Sequence, residues 1–212
     1  MPNTLPEQNA WTLEELAAQY GPIEIQRPLS TQEFTQLTER YPNLSMEREP
    51  NGTVTLMSPV KKGSSRRESR LAFLLCLWNE NAGHGEVYSA NGTYLLPDGA
   101  IKMPDASWIS PERLAETTED DDEAFIQTLP DFVVEIRSKS DPLKKLQQKM
   151  TDTWMANGIR LAWLIDPYEE KAYVYKQGHD VRVVSDFVAN ALSGDDVLPG
   201  FELPLVEMMR KP

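Results

Sequence analysis

The sequence holds one cysteine, Cys76, and two histidines, His84 and His179, far apart in the chain. A single thiol excludes an intrachain disulfide and a zinc site built from thiolates. Two separated imidazoles argue against a His-rich metal centre and against nucleophilic triads, which lean on histidine as base. No apolar run approaches the ~20 residues that span a bilayer. The opening Met-Pro-Asn-Thr-Leu-Pro-Glu has neither a basic nor an apolar stretch of the export-signal kind, so the expectation is a cytoplasmic protein with no membrane partner. Positive charge is also short: Lys+Arg 21 against Asp+Glu 33 leaves a net charge of -12. That excludes a uniformly basic nucleic-acid coat, though not a local basic groove on an acidic body. A Gly-rich phosphate loop, a G-x-S-x-G elbow, C-x-x-C and H-E-x-x-H are all missing. The chemistry left to the chain is that of carboxylates, lysine and oxygen-ligated metals.

What is present is ordinary for a globular protein: 212 residues, 40% apolar and 25% charged, enough to bury a sizeable core. Residues 1–28 read as an appendage, with four prolines around one amphipathic stretch, 11–20. Ser30 and Glu33 have capping-box spacing, with Phe34, Leu37 and Tyr41 following at helical intervals. Strand candidates 44–49 and 53–57 flank the turn Pro50-Asn51-Gly52. Over 65–81, Leu71, Leu74, Leu75 and Trp78 form a one-face helical stripe. Further strands are expected at 86–90, 93–96 and 104–109. The run 131–136 is apolar enough for a central strand. A helix should follow, with Asp141 as N-cap, Pro142 at its first position and Gly158 past its end. Residues 161–165 read as a second central strand, parallel to the first, and 171–176 with 181–185 as a hairpin turning at Gln177-Gly178. The pattern predicts one α/β domain, 29–212, with a mixed sheet and few helices.

Two acids stand out because strands place them. Asp105 follows Pro104 at the start of one strand, and Glu135 sits near the end of Phe132-Val-Val-Glu-Ile136. A charge beside a central apolar strand is costly to desolvate unless paired or metal-bound, and a pair of carboxylates suits Mg²⁺ or Mn²⁺. The plainer alternative is a strand-end salt bridge for each. Arg137 and Lys139 follow Glu135 closely. On an α-helical wheel Lys149 borders the apolar stripe beside Leu146, where it could reach over the sheet end or merely snorkel.

The spacing P-D-x(n)-E-x-K/R, with the segments Pro104-Asp-Ala-Ser-Trp108, Asp131-Phe-Val-Val-Glu-Ile-Arg-Ser138, Lys149-Met150, Asn157-Gly-Ile-Arg-Leu-Ala-Trp-Leu-Ile-Asp-Pro167 and Gly194-Asp-Asp-Val-Leu-Pro-Gly200, resembles the Uma-type family of restriction endonucleases in the PD-(D/E)XK nuclease superfamily. The resemblance implies a restriction-endonuclease-like core of mixed sheet flanked by helices, with added β-hairpins. It implies a Mg²⁺- or Mn²⁺-dependent endonuclease acting on DNA, working as a homodimer. Asp105, Glu135 and the backbone carbonyl of Ile136 would hold the ion, with Lys149 as the catalytic lysine because Arg137 stands where the superfamily usually has lysine. Arginine cannot deprotonate to act as a base.

Glu47, on the first strand, is a further candidate metal ligand, and Glu68, one turn before Leu71, a candidate at the site or else a solvated first-turn acid. Arg66 and Arg67, with Arg70, Lys61 and Lys62, form the densest basic cluster, able to touch phosphate or simply to face solvent. Arg137 and Lys139 are candidates for the same task. Asp120-Asp121-Asp122 lacks the spacing of a calcium loop and reads as a solvated loop. Trp78, Trp154 and Trp163 read as core, and Cys76 as a small buried hydrophobe. Two other functions stay open: an inactive nuclease-fold module for binding or assembly, and a metal-dependent phosphodiesterase acting on RNA or nucleotides.

Overall fold

The computed structural model describes residues 11–117, 122 and 124–210. Asp120 and Asp121 of the acidic run lie outside the described residues. The chain divides into two units at Pro59 and Val60.

In the first unit, α1 (Leu13–Tyr20) and α2 (Thr31–Arg40) each open on a capping box, Thr12 with Glu15 and Ser30 with Glu33. Each box satisfies two otherwise orphaned amide donors. Strand β3 (Val54–Leu56) lies between β1 (Ile23–Ile25) and β2 (Met46–Arg48), antiparallel to both. The β2–β3 hairpin turns where Asn51 and Gly52 were expected to turn it. Asn51 Oδ1 accepts the Thr53 N–H at 2.9 Å, and Gly52 has φ +87°, with no room for a Cβ beside the Leu29 carbonyl. Residues 11–28, read from sequence as an appendage, contain β1 and so contribute a strand to this sheet.

The second unit carries α3 (Lys62–Trp78), β4 (Glu86–Ser89), β5 (Tyr94–Leu95), β6 (Ile101–Lys102), β7 (Ala106–Ile109), α4 (Pro111–Glu116), β8 (Phe132–Ile136), α5 (Leu143–Gln148), β9 (Leu161–Asp166), β10 (Lys171–Lys176), β11 (Arg182–Ser185), β12 (Ala191–Ser193) and β13 (Glu202–Pro204). Its main sheet has the order β11-β10-β9-β8-β7-β4. Strands β8 and β9 are parallel, as the strand–helix–strand pattern requires, and the other neighbours are antiparallel. The sheet is therefore mixed. Helix α4 was not anticipated, although Ser110 capping it and Pro111 opening it are standard start signals.

Side-chain alternation along β8 divides two cores. Phe132, Val134 and Ile136 join Leu71 and Leu75 of α3, Trp163 and Phe201 on one face. Val133 joins Met150, Trp154, Ala162 and Leu164 on the other. Phe132 meets Trp163 edge-on at 4.7 Å, and Phe201 stacks on Trp163 at 5.9 Å. Burying each such side chain contributes about 1.5–3 kcal/mol.

Three local expectations are corrected. Cys76 is exposed, because it stands one residue past Leu75 and so on the flank turned from the sheet. Helix α3 begins before Ser65, so Glu68 lies in its second turn rather than its first. Pro142, not Asp141, is the N-cap of α5, and the Asp141 carboxylate instead accepts the Ser138 N–H at 3.1 Å, closing the preceding turn.

Candidate active site

The end of β8 gathers the site. Asp105, just before β7, donates its N–H to the Val134 carbonyl at 2.9 Å. Its Oδ2 accepts the Ile136 N–H at 2.5 Å. The two residues bracketing Glu135 are thus both held by Asp105, one through its backbone and one through its carboxylate. In a strand the N–H and C=O of one residue point to the same side. The Ile136 carbonyl therefore faces the Asp105 side, while the Arg137 N–H goes the other way, to the Ile165 carbonyl at 2.9 Å.

Glu135 is 6% exposed. Its Oε1 accepts from Lys149 Nζ at 2.8 Å and from the Trp154 indole Nε1 at 2.8 Å. Lys149 opens a π-helical segment, Lys149–Met155, that continues α5. Trp154, expected only as core, is both fully buried and a partner of the acid. An indole N–H on a carboxylate leaves no trace in apolar periodicity, so the sequence held no signal for it.

At Asp105 the opposing influences outweigh the supporting ones. Burial pushes the Asp105 carboxyl well above the usual range, and the neighbouring Glu135 charge pushes it further, with Glu68 adding to both. The Ile136 N–H and the Lys149 charge pull in the opposite direction without restoring it. Glu68 is half-buried on α3, and burial alone raises its carboxyl. A divalent cation fits this arrangement on its donor chemistry, since carboxylate and carbonyl oxygens are what Mg²⁺ and Mn²⁺ select. Among the described residues no group of three or more His, Cys, Asp and Glu side chains is disposed to hold a metal. The candidate donors are thus two carboxylates and a carbonyl. Mg²⁺ sites of this kind leave their remaining positions to water and substrate phosphate. Glu47 lies buried on β2 of the first unit.

The basic candidates fare differently. Arg137 Nη1 pairs with the fully buried Asp166 at 2.7 Å, and its Nε donates to the Asp141 carbonyl at 2.9 Å. The pair with Asp166 raises the guanidinium's pKa. Arg137→Met should therefore lower stability by about 1.5–3 kcal/mol, the usual worth of a hydrogen bond to a charged group. Asp166 would retain the Tyr168 and Glu169 N–H groups. Thermal unfolding measures the loss, and the Mn²⁺-induced shift in melting temperature should match wild type. Arg67 donates to the Met208 carbonyl at 2.9 Å and lies over the Tyr168 ring, while Arg70 Nε reaches Glu207 Oε2 at 2.8 Å. These two arginines lash α3 to the 3₁₀ turn Leu205–Met208. Arg66 is half-buried with its Nε lacking a hydrogen-bond partner. Lys139 is exposed in the turn after β8, as are Lys61 and Lys62 at the start of α3.

No helix among the described residues is long and apolar enough to cross a membrane. No curated protein matches the chain. A crystal structure of a putative nuclease belonging to DUF820 from Anabaena variabilis ATCC 29413 superposes with TM-score 0.68 at 18% identity, covering 85% of this chain and 97% of that one. It shares the fold. A cryo-EM structure of the DrdV–DNA complex matches more distantly, with TM-score 0.33 and 14% identity over 58% of this chain and 12% of the other. Residues 31–206 match the family described as "Uma2: Putative restriction endonuclease". With most of its length inside that match, and Asp105, Glu135 and Lys149 all within it, the chain belongs to the Uma2 restriction endonuclease family.

Proposed function

We propose that the protein is an endonuclease that hydrolyses DNA phosphodiester bonds with the help of Mg²⁺ or Mn²⁺. The observation that supports this best is a half-buried carboxyl, Asp105, held near a second, buried acid, Glu135, whose own oxygen already carries a lysine. Like charges at adjacent strand positions destabilise a fold, and such an arrangement is expected where the charges are needed for a cation. Asp105, Glu135 and the Ile136 carbonyl would hold the ion, which supplies Lewis-acid stabilisation to the phosphodiester when bound.

The protein's own groups would do the rest. Lys149 Nζ, fixed at Glu135 Oε1, offers positive charge and hydrogen-bond donors beside the reacting phosphate, where negative charge develops. The same ammonium can orient the attacking water by hydrogen bonding. Arg137 is not suited to that task, because its guanidinium is held by Asp166 and the Asp141 carbonyl. The exposed Lys61 and Lys62 open the helix that carries Glu68, which supports a role in meeting the backbone of the substrate. The family match runs through both units, which supports treating 29–212 as one functional domain. One site cuts one strand, so cleavage of both strands favours a homodimer.

Supercoiled plasmid, linear DNA and RNA incubated with Mg²⁺ or Mn²⁺ test the reading. Wild type should nick or linearise the plasmid, and Lys149→Ala should be inactive while retaining its fold by circular dichroism. Full activity of Lys149→Ala would transfer the role to Lys139. Cleavage of RNA alone would change the substrate, and no cleavage of any polymer would leave a binding or assembly module.

A further inference from the structure

The helix after β8 changes pitch where it reaches the site. α5 ends at Gln148, and Lys149–Met155 continues as a π-helix. Ala156 N–H donates to the Thr151 carbonyl at 3.1 Å and Ile159 N–H to the Trp154 carbonyl at 3.3 Å, both five residues back. In an α-helix, residues five apart stand about 140° from each other around the axis. The wider π turn bonds i to i+5 and brings such residues towards one face. Lys149 and Trp154 are five apart, and both reach the same oxygen, Glu135 Oε1, at 2.8 Å.

We infer that Trp154 is a positioning residue for Glu135, and that the π-helical segment exists to place its indole N–H beside Lys149 on Oε1. The inference rests on the metal-site reading proposed above. The terminal torsion of a glutamate is soft, and a lysine is a rotatable point charge on a flexible stem. Lys149 by itself would therefore leave the carboxylate plane poorly defined. The Trp154 ring is fully buried, packed edge-on to Tyr94 at 6.4 Å, and its N–H can only donate. A fixed donor and a mobile cation on one oxygen define the plane of the carboxylate that would hold an ion. π-Helical turns are rare and cluster at functional sites, and donors that orient a metal-binding carboxylate are typically worth 10–100-fold in affinity.

Trp154→Phe keeps the ring and removes the N–H. Mn²⁺ titration followed by electron paramagnetic resonance should show about tenfold weaker binding than wild type, with far-UV circular dichroism unchanged. In ¹⁵N-labelled full-length protein, Glu135→Gln should move one indole N–H resonance well beyond the other four; this measurement needs no Trp154 variant. Wild-type Mn²⁺ affinity in Trp154→Phe would overturn the inference while leaving the metal site standing, as would an indole spectrum that Glu135→Gln does not change. Absence of Mn²⁺ binding in wild type would overturn the metal-site reading and the inference together.

Discussion

Asp105→Asn should abolish the Mn²⁺-induced rise in melting temperature and all cleavage, and yet raise the melting temperature of the metal-free protein. The amide is nearly isosteric, and its oxygen can still accept the Ile136 N–H that now goes to Oδ2. What disappears is a charge that burial, Glu135 and Glu68 all oppose. Relief of like-charge repulsion across neighbouring strands is worth up to about 1 kcal/mol, which is roughly 2–4 °C for a chain of this length. The sign follows from the direction of the shift. A carboxyl raised in the folded state stabilises the fold when protonated, below its ordinary value near 3.8, and that stability is lost as pH rises through the folded-state value. Above its ordinary value the raised carboxyl costs stability that the variant does not lose, so the gap between variant and wild type should close on acidification. Calorimetry of both proteins without metal, at neutral and acid pH, measures it. A variant less stable than wild type at neutral pH would show that the Asp105 charge is compensated in the fold.

Glu135→Ala should remove the same Mn²⁺ response with the opposite effect on stability. It takes away the acceptor shared by Lys149 Nζ and the Trp154 indole, in a place where Glu135 is 7% and Lys149 16% exposed in their side chains. Breaking one member out of a buried, hydrogen-bonded ion pair costs about 3–5 kcal/mol, and the vacated volume adds to it. Glu135→Gln keeps an acceptor for both donors and should lose much less stability, while still failing to bind Mn²⁺ because the charge has gone. Urea denaturation of the three proteins, read beside Mn²⁺ titration, separates the role in the fold from the role at the site. Equal stability of Glu135→Ala and wild type would mean that Lys149 and Trp154 find other acceptors of equal quality.

The contrast explains how a fold tolerates two acids in such surroundings. Glu135 is paired and contributes to stability, whereas Asp105 is anchored by backbone geometry and bears the repulsion. Lys149 moderates both charges, and its position next to Glu135 follows from the helix rather than from the strand.

Much of this was legible in the chain itself. Local chemistry announces local structure: Ser30 with Glu33 caps α2, Asn51-Gly52 turns the β2–β3 hairpin, and the strand readings 131–136 and 161–165 form the parallel centre of the main sheet. Asp105 and Glu135 were identifiable as candidates from their placement on strand ends; for Lys149 the helical wheel left a snorkelling side chain equally open and the family resemblance made it a candidate, and the structure places all three near one another. Other features were hidden for physical reasons. Apolar periodicity at 100° per residue presupposes an α-helix, so a π-helical segment, and with it the meeting of Lys149 and Trp154, has no signature in the pattern. The fate of a charged side chain also depends on partners distant in sequence. The sequence left Arg67 and Arg70 open between phosphate contact and a solvated helix start, and Arg137 open as a basic candidate; their partners Met208, Glu207 and Asp166 all lie far away in the chain.

The amino-acid order alone thus determined which segments become strands and helices and which acids sit at their ends, because those outcomes depend on neighbours a few residues away. Only the tertiary structure decided which charges are compensated and which are left opposed, because a pair such as Arg137 with Asp166 or Glu135 with Trp154 forms across elements that the chain brings together only on folding.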